Sequence, residues 1–152
     1  MTFRFRAGSL LALRQRQFDA AQERLGRANE NVAAAARLVD EAEHAAHGAN
    51  AGYRQALDRG SEHAALERHR NWIGQQHARV GAQRAAETEC RGAAVTASDA
   101  VVAAHRQVRV LERLRERAKR RYDTEVRRRE LKEIDRLATL QHARRMVEGG
   151  PT

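Results

Sequence analysis

The sequence holds a single proline, Pro151, next to its C-terminal residue, in 152 positions. Average usage would place roughly seven or eight in a chain of this length. Aromatic residues are 4% of the total, with one tryptophan, two tyrosines and three phenylalanines. Strands favour aromatic and β-branched residues and need turn chemistry between them, so this composition argues against a sheet-rich protein. The ten glycines follow no period, which excludes a collagen-like chain. The lone Cys90 excludes a disulfide scaffold and, with no secretory signal, points to a reducing cytosol. Uncharged runs such as 7–13 and 92–98 fall far short of the roughly 18 apolar residues of a transmembrane helix. The basic, acid-free start MTFRFRAGSLLALRQR has too short an apolar stretch for a secretory signal and reads as the first turns of a mature helix.

Alanine, arginine, glutamate, leucine and glutamine dominate instead, all strong helix formers. Leu11, Phe18, Leu25, Val32, Val39, Ala46 and Tyr53 recur every seven residues. Three positions after each of the last six stand Ala21, Ala28, Ala35, Ala42, Ala49 and Ala56; Arg14 breaks the rule in the first repeat. This is a coiled-coil heptad with large a positions and alanine d positions. Its seven-residue period implies a left-handed supercoil, and its small d residues permit close approach of a partner helix.

A break follows at residues 58–61. Gly60 suits the left-handed position that ends a helix, and Ser61 suits the cap of the next. A second helix is expected over about 62–147. Leu66, Ile73 and Val80 keep the heptad, Glu87 and Arg115 interrupt it, and Ala94, Val101, Val108 and Tyr122 resume it. The fold class is therefore all-α: two long helices, about 3–57 and 62–147, forming an antiparallel coiled-coil hairpin whose second helix is longer. A turn at 58–61 joins them, a disordered tail spans 148–152, and the whole is one domain. Folding back at Gly60 sets residue i against roughly residue 120 − i, so the second helix should run alone beyond about residue 115. Gly48, Gly52, Gly74, Gly81 and Gly92 lie off the heptad seam and should soften the turn-proximal half, at about 1 kcal/mol each relative to alanine.

The formal net charge is +9, and residues 113–152 hold thirteen basic and seven acidic side chains. Two-thirds of the excess therefore sits in the last quarter. Ion pairs such as Glu116–Arg120, Asp123–Arg127 and Glu125–Arg129 would account for part of it as a solvated helix face. The remainder suits docking to an acidic partner. Nucleic acid is not expected, because acids are mixed throughout and no aromatic platform accompanies the basic residues. His44 and His47 share a helical turn, but no ligand cluster completes a zinc site around them. Cys90 occupies a small seam position and reads as an inert thiol. No phosphate loop or nucleophile–base order is present, and a two-helix seam has no interior to exclude water. No catalysis, cofactor or metal is expected. Near the turn, Tyr53, Trp72 and Ile73 are large side chains beside small or polar neighbours; part of the Trp72 indole should stay exposed as an interface anchor.

The opening FRFRAGSLLALRQRQFDAAQERL resembles the start of the flagellar export FliJ family, a Phe-basic-Phe element leading into a Leu-rich heptad helix. The stretch 111–117, then Tyr122, then ELKEIDRLA with Glu133, Asp135 and Ala138, resembles that family's charged C-terminal signature. The resemblance implies a non-enzymatic cytoplasmic part of the flagellar type III export apparatus, peripheral to the membrane through its partners. It implies an antiparallel stalk whose terminal end enters the pore of a hexameric FliI-like export ATPase, with Arg113, Arg117, Arg120, Arg121 and Arg128 facing acidic pore residues. It also implies contact with an FlhA-like export gate near Tyr53, Trp72, Ile73 and Gln76, and binding of export chaperones. Injectisome stalk proteins of the YscO type share the shape, and a general coiled-coil adaptor is the further alternative.

Overall fold

Strong helix propensity and a heptad broken at only a few positions produce two helices, α1 over Gly8–Asp58 and α2 over His63–Glu148, of 51 and 86 residues. The computed structural model describes residues 2–148, and among these there is no strand. α1 and α2 form an antiparallel coiled-coil hairpin with the longer helix second. Most of the tail expected over 148–152 lies outside the described residues.

The turn is a C-terminal lock. Gly60 has φ of 67°, the only positive value among the described residues. Its amide donates to the Leu57 carbonyl at 3.0 Å, and the Ser61 amide donates to Ala56 at 3.0 Å. This pair of bonds is the Schellman arrangement, with Gly60 at C′ and Ser61 at C″. Ser61 is therefore the end of α1 and not the cap of α2. The cap is Glu62, whose carbonyl accepts from Ala65 at 2.9 Å and from Leu66 at 3.1 Å.

Contacts divide the chain into two compact units, Arg16–His105 and Met1–Gln15 with Arg106–Thr152. In the unit Arg16–His105, the alanine d positions Ala21, Ala35, Ala42, Ala49 and Ala56 are buried, as are Val39, Ala46 and Val80. Phe18, Leu25, Val32 and Tyr53 are half-buried. No apolar side chain larger than valine is buried here. A methyl group contributes only about 0.8 kcal/mol on burial, so many repeats are needed to hold such a seam. Glu43 accepts from Arg84 at 2.6 Å across the helices. Tyr53 meets Arg70, and Phe18 meets His105 at a ring separation of 5.3 Å. In both pairs the residue numbers sum to 123, three more than the fold-back at Gly60 predicts. The pivot lies past Gly60 because Ser61 still belongs to the α1 lock and Glu62 is the cap. Glu87, which interrupts the heptad, is half-buried and reaches Arg91 at 2.6 Å. It keeps its charge paired while its stem lies on the seam.

In the other unit, residues 2–7 precede the helix, so α1 begins five residues later than the periodicity suggests. Phe3 and Phe5 are half-buried while Arg4 and Arg6 are exposed, the period-two alternation of an extended chain. Phe3 packs on Tyr122 with centroids 5.7 Å apart. An extended residue advances about 3.3 Å against about 1.5 Å in a helix, so this arm covers more of α2 than helical turns would. Val108 is buried, and Leu111, Ala118, Tyr122 and Val126 are half-buried. Coverage thus lasts to Val126, not to 115, and residues 127–146 are all exposed.

Candidate interaction surfaces

Two surfaces gather the residues singled out in the sequence, one in each unit. In the unit Arg16–His105, Tyr53 sits at a heptad a position on α1 and is half-buried. Its hydroxyl accepts from Arg70 Nε at 3.1 Å, and the Arg70 guanidinium lies 5.8 Å from the ring centroid. This cation–π contact fixes the ring against α2. Trp72 lies one residue before the a position of Ile73, on the flank of the seam, and is 51% exposed. It lines an open depression with Ala65, Arg68 and His69. The thin alanine seam explains the exposure: there is no depth in which to place an indole. Ile73 is half-buried behind it.

Gln76, the fourth residue of that set, is 5% exposed. It occupies a d position, and its Oε1 is buried without a hydrogen-bond partner. Its side chain belongs to the seam, so Trp72 is the only exposed side chain among the four. The heptad through Leu66, Ile73 and Val80 places Gln76 at d, three residues after Ile73, and that spacing was the signal that could have assigned it to the seam.

In the unit Met1–Gln15 with Arg106–Thr152, Arg113, Arg117, Arg120, Arg121 and Arg128 are all exposed. Arg120 lies 3.8 Å from Glu116, and Arg129 lies 3.3 Å from Glu125. Arg109 pairs with Glu112 at 3.1 Å. The expected Asp123–Arg127 pair does not form among the described residues. Arg120, Arg121, Thr124, Glu125 and Arg128 line an open depression on α2. The N-terminal arm also meets α2 here, through Phe3 and Tyr122. The Phe-basic-Phe alternation was the signal that could have revealed an extended arm. The exposed Leu131, Ile134 and Leu137 fall within about three helical turns beyond Val126 and meet no partner surface among the described residues.

The histidines are not assembled into a metal site: no cluster of three ligating side chains exists among the described residues. His44 and His47 are exposed, and each ring Nδ1 lies 2.8 Å from a backbone carbonyl four residues earlier, of Asp40 and Glu43. Cys90 is half-buried at its seam position. No helix among the described residues is long and apolar enough to cross a membrane.

No curated protein and no solved structure gives a significant match to the chain. A family model described as flagellar FliJ protein matches residues 3–147. That span takes in the Phe3 arm, both helices of the hairpin, the turn at Gly60 and the exposed basic segment, and by it the chain belongs to the flagellar FliJ protein family.

Proposed function

We propose that the chain is a non-enzymatic stalk of the flagellar type III export apparatus, located in the cytoplasm at the inner face of the membrane through its partners. In this reading it couples a hexameric export ATPase ring to the export gate and assists export chaperones. Membership of the flagellar family favours the flagellar system over the injectisome one. The observation that carries the coupling role is the exposed, net-basic part of α2 from Arg113 onward, left uncovered after Val126. A cationic helix with unburied apolar side chains lacks a partner surface within its own chain, and an acidic ring lumen has the complementary charge.

The gate contact centres on Trp72. An indole half in water beside Ile73 has the character of an interface anchor, and Tyr53 holds the neighbouring Arg70 in place behind it. The Gln76 side chain supports this surface from within the seam.

The test is binding of the intact chain to the export ATPase of the same cell, together with swimming of a deletion strain that carries variants. Arg120→Glu with Arg121→Glu should weaken ATPase binding and reduce motility. Unchanged affinity and unchanged swimming would remove the coupling role. Capture of clients without any ring ATPase would instead favour a general adaptor.

A further inference from the structure

We propose that the acidic partner docks on one particular face of α2, along Val110, Leu114, Arg117, Arg121, Arg128 and Lys132, and not on the basic segment as a whole. The proposal rests on the ATPase-binding reading above and names the face that performs it. Successive spacings along this line are of four, three, four, seven and four residues, which keep all six side chains on one helical face. The one carboxylate that borders the line between Val110 and Lys132 is Glu125, and it is engaged by Arg129 at 3.3 Å; Asp135 is the first carboxylate on the line after Lys132. The seam is elsewhere, marked by the half-buried Ala118, Tyr122 and Val126.

Ion pairs and the density of nearby carboxylates together separate this face from its neighbours. Arg109, Arg120 and Arg129 are engaged by Glu112, Glu116 and Glu125 of the same helix. Arg113 and Arg127 lie on the Arg109–Arg120 side, among Glu112, Glu116, Asp123 and Glu130. Arg117, Arg121 and Arg128 make no ion pair among the described residues. A cation already paired gains little from a second carboxylate, whereas an unpaired one presents its full field to a partner. The same face also exposes apolar side chains: Val110 is 57% and Leu114 46% exposed.

This mixture identifies the partner's chemistry. Carboxylates one to two helical turns apart, with apolar groups beside them, describe an acidic protein surface. A bare phosphate is a poorer fit, because Glu125 borders the Arg121–Arg128 depression and the Thr124 hydroxyl is committed to the Arg120 carbonyl at 2.9 Å. A second copy of this chain would set like charges against each other.

The experiment compares two variants of the full chain with equal change in net charge. One is Arg117→Glu, Arg121→Glu, Arg128→Glu; the other is Arg113→Glu, Arg120→Glu, Arg127→Glu. Circular dichroism checks that helix content is kept. Titration against the hexameric export ATPase at about 0.15 M salt should show a loss of about 30-fold or more for the first and within about threefold for the second. Equal losses, or a larger loss for the second, overturn the face assignment while leaving the ATPase reading intact. A parent chain that does not bind the ring overturns the reading and the face together. Binding of single-stranded RNA that is abolished by the first variant, with ring binding retained, would also sink the assignment.

Discussion

Phe3 lies against Tyr122, ring centroids 5.7 Å apart and planes inclined at 52°, joining residues 119 positions apart in sequence. The contact ties the arm before α1 to the last covered part of α2. Phe3→Ala removes it, and such pairs are worth about 0.5–1.5 kcal/mol beyond their buried area. Trypsin should then cut faster after Arg120 and Arg121, while cleavage after Arg79 and Arg84 keeps its rate. Equal acceleration at all four sites would show that the arm has no local effect.

Two glycines should respond in opposite directions. Gly60 holds φ of 67°, where a Cβ is strained, so Gly60→Ala should destabilise by about 1–2 kcal/mol. Gly81 is in α2 with open space where a Cβ would be built, so Gly81→Ala should stabilise by up to about 1 kcal/mol. Urea denaturation monitored at 222 nm measures both. Shifts of the same sign would contradict the argument.

Gln76 is the one buried polar side chain among the described residues, with Oε1 unpaired. An unsatisfied buried group costs about 1–3 kcal/mol. Gln76→Met keeps the length of the side chain and removes that cost, so the urea midpoint should rise. A fall would mean that the amide finds a partner in solution.

Trp72 should be dispensable for folding and important for docking. At 51% exposure its removal opens no cavity, so Trp72→Ala should move stability by less than about 1 kcal/mol. In the parent chain, indole emission should shift to shorter wavelength when the cytoplasmic part of the export gate is added. No shift at saturating gate would separate Trp72 from that contact.

Much of the seam was legible from residue types alone. Val39, Ala42, Ala46 and Ala49 had to face one way whatever the partner, because a seven-residue repeat leaves a helix a single apolar stripe. Gly60 was legible for a similarly local reason, since only a residue without Cβ takes its φ freely. The interaction surfaces were less so. Gln76 and Trp72 are both plausible surface residues as letters, yet one is buried and the other exposed. Arg120 and Arg121 are adjacent and chemically alike, yet only Arg120 has a carboxylate within ion-pair distance.

Local chemistry was enough to determine two helices, the place of the reversal and the basic character of the last quarter, because each depends on periodicity, propensity or composition within a few turns. The tertiary structure alone decided the register past Gly60, the non-helical course of residues 2–7, the reach of coverage to Val126 and the separation of paired from unpaired arginines. Those depend on which side chains meet across the seam, and an alanine stripe that repeats every seven residues accepts several registers nearly equally well. The choice among them rests on a few unlike contacts, such as Glu43 with Arg84, Tyr53 with Arg70 and Phe3 with Tyr122.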